Sequence, residues 1–214
     1  MNQPLKWKKP RKIFVCSMAD LFHEAVATRD IYDVLEMVES CPQHTFMFLT
    51  KRPERMLSVH AEWSEDGVAN EGDTYWTWED KMPNLWLGVT AENQKRADER
   101  IPLLLQIPAA VRFVSVEPCL EKISFRWRDY SHKASGETYR QYLERNRSIN
   151  QYESIKDIDW VIAGPETGPG ARECKAEWIE TLHDQCHEAG VPFFDKRDNY
   201  LAREWPQQKG EGLG

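Results

Sequence analysis

Residues 84–118, NLWLGVTAENQKRADERIPLLLQIPAAVRFVSVEP, contain the pattern that decides the fold. An apolar run comes first, a polar segment with a helical pattern follows, and a second apolar run ends the stretch. Both runs are continuously apolar, which is typical of strands covered on both faces. The stretch therefore predicts a β-α-β unit with parallel strands, in which we expect Pro102 to disturb the helix.

The same alternation continues in both directions along the chain. Helix patterns separate the apolar runs: residues 28–40 carry an apolar face with Thr28 as N-cap, Pro53 suits a first helical turn, and Gly190 suits a helix end. This order predicts an α/β fold with a parallel sheet, either a doubly wound open sheet or a complete or partial barrel. The six predicted strands lie at residues 12–18, 44–50, 84–90, 111–117, 159–164 and 191–196.

Two polar segments interrupt the alternation. Residues 64–82 are acidic and aromatic, whereas residues 125–157 are weakly basic, with aromatic side chains between the charges and a predicted helix near 137–147. Aromatic and basic residues together can stack on bases and pair with phosphates, so a nucleic-acid-binding or protein-binding module at 125–157 is an alternative to a solvated insertion. We expect a single domain over residues 1–214 that carries both insertions.

Composition narrows the class of protein. The chain has 214 residues, 41% of them hydrophobic, and a net charge of −7, which argues against a surface that binds nucleic acid over its whole extent. Its five cysteines are scattered without a metal-binding spacing, and no signal peptide or membrane-spanning run is present. The sequence predicts a cytoplasmic protein with reduced thiols and no membrane partner.

Charged residues follow every predicted strand. The carboxyl ends of parallel strands meet at one edge, and six ends that mix acids with bases are what a polar-ligand site requires. We therefore expect the functional site at this edge of the sheet. The residues are Asp20, Lys51, Arg52, Glu92, Asn93, Glu117, Glu166, Arg172, Asp195, Lys196 and Arg197.

Glu117 is the best-defined candidate for a functional residue in this set. Pro118 follows it and biases its backbone toward an extended geometry. A carboxylate fixed in this way can act as a general base or can bind an amine or hydroxyl group. The competing interpretation is a structural ion pair with Lys51, Arg52 or Lys196.

The loop GPETGPGAR, residues 164–172, resembles a phosphate-binding loop at first sight. Two of its residues are prolines, which lack the backbone N–H donors that such loops use. We instead expect a stiff turn, in which Gly164 allows close approach of a ligand while Glu166 and Arg172 are presented to it.

Taken together, several ordered blocks resemble the phage gene-product 37 / gene-product 68 family. The blocks are KWKKPRKIFVCSMADLFHE (6–24), CPQHTFMFLTKRPERM (41–56), residues 85–118, IDWVIAGPETGPGAR (158–172) and AGVPFFDKRDNYLAREWP (189–206). The resemblance implies an incomplete TIM-like barrel of about six strands. It also implies a radical S-adenosylmethionine-like phage or prophage protein, in which three cysteines hold a [4Fe–4S] cluster and nucleic acid is a possible substrate.

This chain lacks the three-cysteine motif, so we expect no radical chemistry unless a missing N-terminal segment or a protein partner supplies the cluster. The resemblance still implies S-adenosylmethionine as a possible cofactor at the strand ends. We assign catalytic roles to Glu117, Lys51 and Lys196, and no metal ligands. The expected cofactor-binding residues are Asp20, Glu92, Asn93, Gly164, Glu166 and Arg172.

Overall fold

A computed structural model shows an α/β fold built on six parallel strands, and it describes residues 3–66, 77–125, 155–197 and 203–206. Each strand pairs with its neighbours in sequence, and the sheet curls into a half-barrel. This order confirms the predicted incomplete barrel and excludes a doubly wound sheet, whose strand order would reverse. The strands are β1 (Lys12–Val15), β2 (Thr45–Thr50), β3 (Leu85–Thr90), β4 (Val111–Val116), β5 (Trp160–Ala163) and β6 (Phe193–Asp195).

The helices cover the outer face of the sheet and begin and end largely where the sequence predicts. Pro53 is the first residue of its helix, and Gly190 ends another with a left-handed φ of 71°. The main helices are α1 (Thr28–Glu39), α2 (Pro53–Asp66), α3 (Trp78–Lys81), α4 (Gln94–Leu104) and α5 (Ala176–Ala189); short 3₁₀ helices lie at Pro4–Lys6 and Ile155–Asp157.

Two local predictions about the helices are wrong. Thr28 is the first residue of α1 rather than its cap, because Ala27 has the extended backbone of an N-cap. Pro102 lies inside α4, which continues to Leu104. Pro102 and its neighbour Ile101 are buried, so packing against the core offsets the hydrogen bond that the proline cannot donate.

The two predicted insertions are described only in part. Residues 77–82 carry α3, whose first turn is closed by reciprocal hydrogen bonds between Thr77 and Asp80, and both Trp78 and Met82 are fully buried. This end of the segment 64–82 therefore packs into the core. Of the segment 125–157, Phe125 and the 3₁₀ helix are described, and the helix predicted near 137–147 lies outside the described residues.

The inner face of the half-barrel has an aromatic core of its own at the amino end of the strands. Phe113 and Trp160 pack there with ring centroids 5.8 Å apart. Gly88 makes room for this packing, since a Cβ at that position would lie 2.4 Å from the Phe113 ring. Trp205 covers the cluster by stacking on Trp160 at 4.8 Å, and Lys12 places its ammonium 3.7 Å from the Trp205 ring centroid.

Residues 203–206, which we call the C-terminal strap, hold Trp205 in this position. The backbone N–H of Glu204 donates to the Phe193 carbonyl at 2.9 Å, and the Trp160 indole donates to the Glu204 carbonyl at 2.9 Å. The strap thus extends the sheet at β6 and seals the amino end of the inner face. None of the described helices is long and apolar enough to cross a membrane.

Candidate functional site

Polar side chains replace the apolar ones at the carboxyl end of the inner face. Backbone hydrogen bonds continue the sheet pairing beyond the strand ends: the Gly164 N–H donates to Val116 O at 3.2 Å, and the Lys196 N–H donates to Ala163 O at 2.9 Å. Because alternate residues face the same side of a strand, this places one row of residues across the inner edge. We call the row, together with Lys51 beside it, the mouth: Glu92, Glu117, Gly164 and Lys196.

Glu117 forms an ion pair with Lys196 across the intervening strand β5. Its Oε1 lies 2.8 Å from Lys196 Nζ, and the Ser115 hydroxyl donates to its Oε2 at 3.2 Å. The two parent strands are separated by two strand spacings, about 10 Å, so the side chains must meet above Gly164. A Cβ on Gly164 would lie 3.1 Å from Glu117 Oε1 and 3.0 Å from Lys196 Cβ, so the absent side chain keeps this path open.

Glu92 is held by cations on both of its oxygens. Lys51 Nζ lies 3.0 Å from one oxygen, and the buried Arg100 donates to the other at 2.7 Å while it also donates to the Thr90 carbonyl. Burial alone would raise the pKa of Glu92, but its backbone hydrogen bond and the two cations outweigh burial and lower it. Glu92 is therefore ionised at neutral pH.

Asp20 and Asn93 orient the backbone around the mouth. The Asp20 carboxylate accepts hydrogen bonds from Thr50 Oγ1 at 2.8 Å and from the Lys51 N–H at 3.0 Å, and Arg52 pairs with it at 3.0 Å. Burial would raise the pKa of Asp20, yet these bonds lower it. Asn93 caps α4 by accepting from Arg96 N–H at 2.9 Å. The acceptor oxygens of both side chains are occupied by hydrogen bonds within the protein. Asp20 thereby fixes the position of the Lys51 backbone.

Glu166 and Arg172 close the glycine-rich loop on itself. The guanidinium donates to both carboxylate oxygens at 2.8 and 2.7 Å, and the Arg172 N–H adds a third bond at 2.9 Å. Gly168 and Gly170, with φ of 98° and 79°, allow the turn that brings the two residues together. The bonds from Arg172 lower the pKa of Glu166 to about 2. The hydrogen bonds to Glu166 raise the pKa of Arg172 in turn.

A family model described as "Protein of unknown function (DUF5131)" matches residues 1–212. The chain belongs to the DUF5131 family. No curated protein and no solved structure matches the chain.

The described part of this DUF5131 member does not offer ligands for an iron–sulfur cluster. Across residues 3–66, 77–125, 155–197 and 203–206, no three or more His, Cys, Asp or Glu side chains form a metal-binding group. Cys16 is exposed beyond β1, whereas Cys119 is buried and Cys174 is half-buried. Burial raises the pKa of Cys119 to about 12, which disfavours the thiolate that a cluster needs. The residues do not fit the cluster, and we derive no step through it.

A surface cavity of about 720 Å³ lies at the opposite edge of the DUF5131 sheet. It is lined by the strap and by residues around the amino ends of β5 and β6, including Asp159, Gly190, Pro192 and Glu204. None of the residues predicted for the site lines it. The mouth is the stronger candidate because acids and bases converge there from four strand ends.

Sequence reasoning missed several partners of the mouth. Ser115 precedes Glu117 by two residues in a strand, so the period of two could have placed both on one face. Arg100 lies eight positions after Glu92 in a helix, and no local pattern links them. The role of Gly164 as a passage between two side chains likewise depends on the neighbouring strands.

Proposed function

We propose that the mouth binds S-adenosylmethionine and that the chain is the barrel body of a radical S-adenosylmethionine-like phage or prophage protein. The observation that supports this best is the pair of carboxylates at neighbouring strand ends, Glu92 and Glu117, each bridged to a lysine. A nucleic-acid substrate and a protein partner stay predictions from the sequence.

The donors of this ligand suit the acceptors of the mouth. S-adenosylmethionine carries an ammonium group, a sulfonium and two ribose hydroxyls, and ionised carboxylates bind such groups through charge-assisted hydrogen bonds. Glu92 and Glu117 belong to adjacent strands, which are about 5 Å apart. One ligand can therefore contact both. When bound, the cofactor supplies a sulfonium whose carbon–sulfur bonds are open to cleavage.

The lysines keep the two carboxylates charged and oriented. Lys196 approaches Glu117 from β6, while the Ser115 hydroxyl fixes its second oxygen. Lys51 approaches Glu92 from β2. Two like charges on neighbouring strand ends would otherwise repel, so these ion pairs make the acceptor pair possible. A ligand ammonium or hydroxyl then adds to a site that is already ordered.

Calorimetric titration of the purified chain with S-adenosylmethionine tests the proposal. We expect Glu92→Gln and Glu117→Gln each to weaken binding by about tenfold or more, because a hydrogen bond to a charged group contributes about 1.5–3 kcal/mol. Glu188→Gln is the matched control, since Glu188 is an exposed acid in the last turn of α5, toward the opposite edge. Undiminished affinity in the double variant, or no binding by the native chain, would refute the proposal.

A further inference from the structure

The basic side chains in and beside the mouth are more exposed to solvent than the acidic side chains. The exposed side-chain fractions of Lys51, Lys196 and Arg172 are 52%, 50% and 59%. Their partners are less exposed, at 14% for Glu92 and 25% for Glu117. A molecule that approaches from solvent therefore meets a rim of three cations before it meets the carboxylates. We call Lys51, Lys196 and Arg172 the cationic rim.

The cationic rim converges on a small area. Lys51 leans from β2 toward Glu92, and Lys196 leans from β6 toward Glu117, so both ammonium groups lie over the two central strands. Neighbouring strands are about 5 Å apart, which brings these groups within reach of one small anion. Arg172 lies in the loop that follows β5 and begins at Gly164 of the mouth, at the same edge of the sheet.

Spare donors and spare charge remain after the internal ion pairs are formed. Each lysine ammonium has three N–H donors, and its ion pair with one carboxylate oxygen engages only part of them. The buried Arg100 already neutralises Glu92 from the protein side. Counting Arg100 with the rim gives four cations against the three carboxylates of Glu92, Glu117 and Glu166, a positive excess in a chain of net charge −7.

We propose that the cationic rim is a phosphate subsite and that the substrate of this domain is a phosphorylated ligand. The inference rests on the proposed function for the use of the mouth as a ligand site. S-adenosylmethionine has no phosphate, so the phosphate belongs to a second molecule. Two sources share this chemistry, a free nucleotide and a nucleic-acid strand.

The geometry favours phosphate over a carboxylate group. A carboxylate has two oxygens, which a single guanidinium fork already satisfies, as Glu166 and Arg172 show. A phosphate monoester, as in a nucleotide, presents three terminal oxygens and a charge of about −1.5 to −2 at pH 7, whereas each phosphodiester of a nucleic-acid strand presents two such oxygens and one negative charge. The two lysine ammonium groups and the Arg172 guanidinium, which come from three different segments at this edge of the sheet, supply donors for those oxygens.

The test is calorimetric titration with inorganic phosphate, adenosine 5′-monophosphate, adenosine and a short single-stranded oligonucleotide. We expect binding of the phosphate-bearing probes, weaker binding at higher salt, and at least about tenfold weaker binding for Lys51→Met and Lys196→Met. Lys51→Arg retains the charge and should retain binding. Lys9→Met is the matched control, because Lys9 is an exposed lysine before β1 at the opposite edge.

The probes also distinguish a free nucleotide from a nucleic-acid strand, and the phosphate subsite from the S-adenosylmethionine site. Equal affinity for the mononucleotide and the oligonucleotide indicates a nucleotide, whereas a much tighter, steeply salt-dependent oligonucleotide complex indicates a nucleic-acid strand. If the native chain binds S-adenosylmethionine but none of the phosphate-bearing probes, the phosphate subsite alone is overturned; if it binds those probes but not S-adenosylmethionine, the cofactor assignment alone is overturned. Circular dichroism confirms that each variant is folded, and unchanged phosphate affinity in a folded Lys51→Met, Lys196→Met double variant refutes the inference.

Discussion

Addition of a single methyl group at Gly164 should weaken ligand binding while it lowers the stability of the fold only moderately. In Gly164→Ala, the new Cβ would lie 3.0 Å from Lys196 Cβ and 3.1 Å from Glu117 Oε1. Both contacts are shorter than ordinary van der Waals contact, so both side chains must shift by a few tenths of an ångström. The ion pair across β5 is then displaced, while the Ser115 hydroxyl still holds the second oxygen of Glu117.

The loss of stability in Gly164→Ala should be moderate. Overpacking in an ordered region costs about 1–3 kcal/mol, and a partly exposed ion pair contributes about 1 kcal/mol or less. For a domain of this size, the lower free energy of unfolding reduces Tm by roughly 2–12 °C. The displaced carboxylate should weaken S-adenosylmethionine binding by about tenfold or more at temperatures where the variant is folded.

Thermal denaturation and calorimetric titration measure the two effects on the same sample. Gly88→Ala is the matched comparison, because its Cβ would lie 2.4 Å from the Phe113 ring on the same inner face, below the mouth. We expect Gly88→Ala to lose more stability than Gly164→Ala and to keep its affinity while folded. If Gly164→Ala binds the ligand as the native chain does, the passage above β5 has no part in recognition.

Three further substitutions test other contacts. Glu92→Gln should lower Tm at neutral pH, because the ionised carboxylate stabilises the fold. The pKa of Glu92 in the folded chain is below its ordinary value of 4.5, so this stabilisation is fully present above pH 4.5. As pH falls further, the Tm difference between the variant and the native chain should shrink. Arg197→Met should cost about 3–5 kcal/mol in urea denaturation, because it removes the guanidinium from the fully buried Asp195. Trp205→Ala should cost about 2 kcal/mol in the same assay, because Trp205 loses its stacking on Trp160.

Matched variants control these measurements. Glu188→Gln should leave Tm at neutral pH nearly unchanged, since Glu188 is exposed. Arg29→Met removes an exposed ion pair with Asp33 and should change the free energy of unfolding by less than about 1 kcal/mol. Trp205→Phe preserves a ring for stacking and should recover most of the loss. If a test variant and its control lose equal stability, the corresponding contact does not contribute as predicted.

The sheet could be predicted from the sequence because its central strands β3 and β4 are buried on both faces. The runs around Trp86 and Val114 are continuously apolar, and all six predicted strands contain an observed one. The charged residues after these runs also lie at one edge, as expected for parallel strands. Local pattern is sufficient where burial alone decides the conformation.

The partners of the side chains at that edge could be identified only from the three-dimensional structure. The sequence left Glu117 with three possible ion-pair partners, and the gap at Gly164 selects Lys196. Asp20 looks like a ligand-binding acid in sequence, yet its hydrogen bonds hold the backbone of the next strand end. Trp78 lies among charges in sequence and is fully buried, because a capped helical turn directs it into the core. These outcomes depend on neighbours distant in sequence.

The contact between Trp205 and Lys12 joins the two ends of the described chain, and this has a consequence for synthesis on the ribosome. Strands that pair in sequence order can associate one after another as the polypeptide emerges. The inner aromatic cluster, however, receives its cover only when the strap leaves the exit tunnel. A nascent chain halted before Trp205 should therefore expose Trp160 and bind chaperones that recognise apolar surface, whereas release of the last residues should end that binding.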